Sequence, residues 1–538
     1  MPRQIFDVNH AWKERSGPAL TLAMIWLLWT PIRASQARRT AMERAGCFPG
    51  AERYRVLREP GHSLLREASE ARAAFPYSER HLQCVWFDAA YRPARLRTAA
   101  GEEVAVEDPG RWNLEAGPDF VDAVLRVGAE RRRVQGDVEV HVHPRDWEAH
   151  RHFADARYRR VVAHVCYFPG RVAPGRLPAG AVELALRPAL QSDPGFAFED
   201  IDVTAYPYAA RTTRPTPCAV ALKGWGWPER AALLRAAGAE RLRLKAERLQ
   251  AAIAERGAEQ ALYEELMAGL GYQHNRAACR RLARRLPAEA LRREAGGDAQ
   301  VAYALLLGVA GLLPARLSAA WDEATRVFVR EVWDAWWKRQ SAWESAALSP
   351  GEWRCDGLRP QNHPARRLAA AAGLFAGAAP LAEVLLALDT ERPREWLAAA
   401  RRLLRAEGAV PYWKRRLGWG CPERRADVAL LGQTRLAALL SNVVVPFLAA
   451  SGRSVAPLLE ALPPEQDNAL IRQTAHNLFG RDHNPARHQG ALLQQGLLQI
   501  FHDFCLTRRG GCAGCRLAPA LAAAGGATAL AAGGRGGG

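Results

Sequence analysis

Residues 111–168 read RWNLEAGPDFVDAVLRVGAERRRVQGDVEVHVHPRDWEAHRHFADARYRRVVAHVCYF, and nowhere else do acids and histidines gather so densely on a strand framework. Phe120–Val127 is apolar, with turn signals on both sides, and predicts a strand; a charged turn, Gly128–Arg133, follows. Val134–Val142 then alternates. Val134, Gly136, Val138, Val140 and Val142 point one way; Gln135, Asp137, Glu139, His141 and His143 point the other. Pro144 ends that strand, Asp146 is placed to cap a helix over Trp147–Tyr158, and Arg160–Phe168 is a further β-branched strand. A strand face of Asp, Glu and His is costly to bury without a cation, because desolvated charges need partners.

Upstream, Ser78 can cap a helix whose apolar face is Leu82, Val85 and Trp86, with Glu79 in its first turn, and Leu96–Val106 reads as a hairpin. The order helix, hairpin, strand, strand, helix, strand predicts a compact α+β unit of roughly 100 residues. Downstream the chain is rich in turns up to about Val220, with RTTRPTP (211–217) read as a linker. From Gly224 to Leu506 the pattern is helical almost throughout. The domain reading is therefore a poorly defined N-terminal extension (1–76), an α/β domain (77–215), a large all-α domain (216–516) ending in a cysteine-rich metal-site candidate, and a disordered Ala/Gly tail (517–538).

Within the extension, Pro18–Ile32 is an apolar run short of the ~20 residues of a spanning helix, so no membrane association is expected. It reads as a secretory signal cleaved near Ala37 or, preferably, as an upstream extension with later starts at Met24 or Met42.

The 538 residues are 49% hydrophobic and 24% charged, which is globular and long enough for two or three domains. A net charge of +18 favours anionic partners, nucleic acid first. Only five of the 74 basic residues are lysine, so codon drift in a GC-rich genome accounts for part of that charge. Ten cysteines, seven of them scattered singly, make no disulfide scaffold and fit a reducing cytoplasm. There is no Walker P-loop, Rossmann glycine fingerprint, Gly-x-Ser-x-Gly elbow or His-Glu-x-x-His.

Asp119 and Glu139-Val-His141 form the first constellation. Metal-dependent phosphodiester hydrolysis needs carboxylates from neighbouring strands on one cation, and a polar group to position water. Pro118-Asp119, then Glu139-x-His141 on the next strand, resembles the motif of the PD-(D/E)xK nuclease core, a fold of helix, three strands, helix and fourth strand. The resemblance implies that Asp119 and Glu139 bind Mg²⁺ or Mn²⁺, that His141 orients water or phosphate, and that Glu79 assists. His141 stands at the motif's lysine position, which also suits a core that has lost catalysis. The plain alternative has Asp119 capping a turn and Glu139 paired with Arg132 or Arg145. His150 and His152, two apart on the expected helix, would diverge and not share a metal; His164 reads as a core residue.

NLEAGPDF (113–120), GDVEVHVHPRDWEAHRHFADARY (136–158), VVAHV (161–165), GYQHN (271–275), GLRPQN (357–362) and the cysteine-rich end together resemble an uncharacterised bacterial family known only as a domain of unknown function. That resemblance covers about residues 77–516 and implies one multidomain unit.

Cys505, Cys512 and Cys515 form the third constellation, with Cys421 preferred over His502 as a fourth ligand of zinc or an iron–sulfur cluster. The basic runs Arg280-Arg281, Arg284-Arg285 and Lys414-Arg415-Arg416, with Arg359, Arg366 and Arg367, either contact phosphate or serve helix faces and caps. The expected function is a metal-dependent nuclease-like protein acting on nucleic acid. The alternatives are a non-catalytic nucleic-acid-binding scaffold and a metallohydrolase of small phosphate esters.

Overall fold

Seven strands make one mixed sheet: β1 (Leu96–Arg97), β2 (Glu103–Asp108), β3 (Arg111–Trp112), β4 (Phe120–Val127), β5 (Arg132–His141), β6 (Val161–Cys166) and β7 (Val182–Ala185). Their order is β1-β2-β4-β5-β6-β7, with β3 also on β4. The pairs β2–β4 and β4–β5 are antiparallel, while β5–β6 and β6–β7 are parallel. A parallel pair needs a crossover; residues 142–160 provide the one between β5 and β6. The computed structural model describes residues 47–58, 75–114, 117–207, 215–272, 274–406, 408–466, 468–480, 483–506, 512 and 515–524. The signal-like run, Met24, Met42, most of the linker and residues 525–538 lie outside them.

β5 is a central strand, buried on both faces from Gly136 to His141, so its acid- and histidine-bearing face is not a solvated one. Gly136 is required there. A Cβ would stand 2.5 Å from the Arg160 carbonyl and from Val162, where β6 approaches.

Helix α1 (Ala51–Arg58) lies upstream and α2 (Glu79–Phe87) packs on the sheet through Leu82, Val85 and Trp86. The crossover corrects the expected helix over Trp147–Tyr158. Only α3 (Asp146–Ala149) is α-helical, and Arg151 turns left-handed (φ 60°) before two 3-10 turns, His152–Ala154 and Ala156–Tyr158. Asp146 accepts from the His143 N–H at 2.7 Å.

The rest is helical: α4 (Trp227–Arg256), α5 (Ala258–Leu270), α6 (Arg276–Arg285), α7 (Ala299–Val309), α8 (Pro364–Phe375), α9 (Gln433–Ala450, with a π-helical turn over Leu440–Val444), α10 (Ala469–Phe479) and α11 (Ala491–Ile500) among them. α9 is long and apolar enough to span a membrane, but 72% of it is buried inside the fold. Helices α4 and α11 touch backbone to backbone at two glycines. A Cβ on Gly238 would meet the Leu492 carbonyl at 2.1 Å, and one on Gly496 the Leu234 carbonyl at 2.0 Å. That crossing sets the path of the π-helical Phe501–Cys505, which delivers Phe501 and then Leu506 into the core of the sheet region.

Two domain boundaries change. Cys47, Ala51 and Tyr54 form an apolar stripe at helical spacing, buried against the helical body, so residues 47–58 belong to the fold and not to a loose extension. Residues 517–524, expected in a disordered tail, are helical, because Leu517 and Leu521 supply an apolar face that the α4–α11 cluster buries.

Candidate metal centre

Parallel register places Glu139 opposite His164 and His141 opposite Cys166. One end of two neighbouring strands therefore carries Glu139, His141 and His164. The crossover folds back over that end. Because Arg151 is left-handed, His150, at the end of α3, and His152, opening the next turn, do not diverge as on a helix but return to His141. His141 Nε2 lies 3.1 Å from His150 Nδ1 and 3.3 Å from His152 Nε2. The donor atoms of these three histidines all lie within 4.8 Å of one another. Glu139 Oε1 is 3.4 Å from both His141 Nε2 and His152 Nε2. The expectation that His150 and His152 could not share a metal is thereby overturned.

One imidazole nitrogen makes one hydrogen bond. His141 Nε2 has three electronegative neighbours within 3.4 Å, so protons alone leave lone pairs facing one another. A cation among them removes that conflict. Ligands about 2.0–2.1 Å from a tetrahedral zinc stand roughly 3.3–3.4 Å apart, close to the separations found here. The ring nitrogen on the other side, His141 Nδ1, lies 2.9 Å from His164 Nε2, the arrangement that orients a ligating imidazole. His152 packs on the Tyr158 ring, centroids 3.9 Å apart and planes inclined by 30°, and the Tyr158 hydroxyl donates to the Gly117 carbonyl at 3.2 Å.

Burial dominates the titration of these groups. Glu139 and His141 are 5% and 1% exposed. Desolvation, reinforced by the nearby Glu79 carboxylate, raises the Glu139 carboxyl well above its usual range. Desolvation, then the neighbouring histidines, holds His141 well below it. His152 is pushed down to about 4 and His164 to about 3, burial first in each. His141, His152 and His164 are thus neutral at pH 7, the form in which an imidazole binds metal. His150 is exposed and opens the cluster to solvent, in a segment that also carries the exposed Arg145, Arg151 and Arg159.

Asp119 lies beside this cluster in a different role from Glu139. Its Oδ1 accepts from Gln83 Nε2 at 2.6 Å, its Oδ2 from the Val140 N–H at 2.7 Å, and its own N–H donates to Glu139 Oε2 at 2.9 Å. Asp119 positions Glu139, and both its oxygens are engaged. Glu79 is close enough to act on Glu139 electrostatically. Among the described residues three metal-type donors converge only at His141, His150 and His152. Cys421 is exposed beside Gly418 in the helical body, Cys505 packs against the sheet core, Cys515 packs against the α4–α11 cluster, and Cys512 is half-buried. His502 has Arg241, His81 and Lys245 as its electrostatic neighbours.

The conspicuous basic runs are occupied internally. Arg280 pairs with Asp200 and Glu265 at 2.8 Å, Arg281 with Glu352, and Arg284 with Glu264. Lys414 and Arg415 pair with Asp427, and Arg416 with Asp322. Arg366 is fully buried and donates to the carbonyls of Arg416, Ala429, Trp413 and Val428.

Residues 79–460 match the family described as Protein of unknown function (DUF2851). The chain belongs to this family. The matched span begins in α2, includes the whole sheet and the metal-centre candidate, and runs through α9. No curated protein and no solved structure matches the chain.

Proposed function

We propose that this protein is a metal-dependent hydrolase of nucleic-acid phosphodiesters whose metal is held by His141, His150 and His152. The observation that carries the reading is the convergence of those three imidazoles at one open end of the sheet. Three histidines favour zinc or a similar transition metal over Mg²⁺, because imidazole is a borderline ligand and Mg²⁺ prefers oxygen. Three protein ligands leave a position for water, and a metal there lowers the pKa of that water and polarises the phosphoryl group. Glu139, held by the Asp119 N–H, stands where it can take a proton as general base. Arg145, Arg151 and Arg159 would draw the phosphate backbone to the opening. The PD-(D/E)xK resemblance of Pro118-Asp119 and Glu139-x-His141 supports a nuclease reading, with histidines proposed to take the metal in place of the paired carboxylates.

A second reading is favoured by the approach of Glu139 Oε1 to two of the imidazoles at 3.4 Å. With Glu139 as fourth ligand the site is closed, and the protein is a metal-stabilised nucleic-acid-binding scaffold. Zinc- and manganese-loaded protein is to be assayed on single- and double-stranded DNA and RNA and on a small phosphate diester. The variants are His150→Ala and Glu139→Gln. The hydrolase reading expects cleavage in the wild type and a loss of at least 100-fold in both variants. Unchanged cleavage in the variants contradicts it. Metal bound without cleavage favours the scaffold.

A further inference from the structure

A second site is carried by residues that the metal centre does not use. On α4, Arg241, Lys245 and Arg248 recur at i, i+4 and i+7 and so share one face. All three are half-buried, as are Arg276 at the start of α6 and Arg435 in the first turn of α9. Other arginines nearby are clamped by acids: Arg276 pairs with Asp200 and Glu265, and Arg243, two residues from Arg241, is held by Glu240 at 2.7 Å and also pairs with Glu247. The cations of this face are not. Arg241 Nε donates to the Gln495 side-chain carbonyl at 2.9 Å, and Lys245 Nζ donates to the Asn442 side-chain carbonyl. Arg435 lies 3.0 Å over the Tyr272 ring and donates one N–H to the Gly269 carbonyl at 3.2 Å. Its Nε is buried with no partner among the described residues. Neither Arg241, Lys245, Arg248 nor Arg435 forms an ion pair among those residues, although Gln495 of α11 and Asn442 of α9, the partners of Arg241 and Lys245, are themselves bonded at 3.3 Å and Arg435 stands seven residues before Asn442 on α9.

These cations repel one another. Lys245 feels Arg241, Arg248 and Arg276; Arg435 feels Arg367 and Arg276. Burial first, then Arg248, lowers Arg241 to about 10. The acids facing them are Glu465, whose Oε1 is engaged by Asn442 Nδ2 at 2.7 Å and Gln495 Nε2 at 2.6 Å, and, at Arg241, Asp503, engaged by Gln499 and Tyr54, and Asp202, engaged by Thr204. Glu265 is taken up by Arg280 and Arg276, and Glu199 by the Tyr77 hydroxyl. Guanidinium groups left half-buried, with neutral carbonyls as their hydrogen-bond partners, are arranged to receive an anion.

We propose that the half-buried basic cluster of α4, with Arg276 of α6 and Arg435 of α9, binds a multiply charged phosphate group, at a site separate from the histidine cluster. The half-burial of its cations suits a terminal phosphate or a small phosphate compound better than the middle of a duplex, whose backbone stays at the protein surface. Helix α2 stands between the two sites. Gln83 bonds Asp119 and Glu79 acts on Glu139, while His81 is the residue that Arg248 acts on. The proposal does not rest on the hydrolase reading.

Titration calorimetry on the full chain, as purified, tests it with three probes: pyrophosphate, a 5′-phosphorylated single-stranded oligonucleotide and the same oligonucleotide with a 5′-hydroxyl. Pyrophosphate binding with preference for the phosphorylated strand assigns the source to strand ends. Pyrophosphate binding without that preference assigns it to small phosphate compounds. In either case Arg248→Gln and Arg435→Gln are expected to weaken binding at least tenfold, Arg248→Lys to stay within a few-fold, and His150→Ala to bind as wild type. Melting temperatures confirm that each variant is folded. Failure of the wild type to bind any probe, or equal affinity in the charge-removing variants, overturns the proposal.

Discussion

At the residue scale, the account turns on neutral imidazoles and a buried carboxylate at one place. Their linkage to stability has opposite signs in the metal-free protein. His141, His152 and His164 have folded pKa values below the unfolded value of about 6.5, so the unfolded chain binds more protons as pH falls through the window from about 6.5 towards 4 and 3. Their contribution to stability is present above about 6.5 and is lost on acidification, each adding a slope of up to about 1.4 kcal/mol per pH unit. Glu139 is raised, so its contribution is present below the unfolded value of about 4.3 and is lost as pH rises through its folded pKa. Urea unfolding of metal-free protein should therefore show stability falling steeply below pH 6.5. Glu139→Gln should be more stable than wild type at pH 8 when metal-free. Metal, which needs the neutral imidazoles, should be released across the same acid window. Stability flat from pH 6.5 to 4 would contradict the burial of these groups. Glu139 and His141 were legible from strand alternation, because a period of two shows which residues share a face. His164 was legible as a core residue.

At the element scale, the decisive feature is one left-handed residue, and sequence carries little sign of it. DWEAHRHFADARY has good helix formers and an acid to cap it, so propensity predicts a helix through Tyr158. Left-handed backbone at a non-glycine residue costs roughly 1–2 kcal/mol and is fixed by surrounding packing, not by residue type. Arg151→Gly should keep the turn, the metal and the melting temperature. Arg151→Val, β-branched at φ 60°, should lower stability by about 1–3 kcal/mol and reduce bound metal well below one per chain. Metal analysis and thermal melts read both; equal metal content in the two variants would detach the turn from the site. Helix α6 was hidden for a related reason. Its arginine run reads as a phosphate-contacting or solvated face, but its partners are acids distant in sequence, such as Asp200, Glu264 and Glu352.

At the scale of the whole molecule, the mixed α/β architecture and the change to helix after Val220 were readable from periodicity. The dependence of one region on the other was not. Phe501 and Leu506 complete a core whose strands end at Ala185, and the Gly238–Gly496 crossing that places them has no local signature beyond two glycines in helices. A fragment of residues 75–207 should consequently fail to fold cooperatively, as read by the dispersion of its amide NMR spectrum. Asp200→Ala, which leaves Arg280 with one fewer partner at the buried junction between the regions, should cost about 3–5 kcal/mol in unfolding free energy. A well-dispersed spectrum for the fragment, or a cost under 1 kcal/mol, would show two independent domains.

The most direct test of the central claim is elemental analysis by mass spectrometry of the purified full chain, wild type beside His150→Ala and His152→Ala, each verified as folded. His150 lies at the open side of the cluster, so its removal should spare the fold, while His152 is packed on Tyr158 and its variant is read only where melting shows it folded. The account predicts about one zinc or other transition-metal ion per wild-type chain and a loss of at least tenfold in both variants. A metal-free wild type that also fails to take up zinc on dialysis, or variants that retain the full complement, would contradict it.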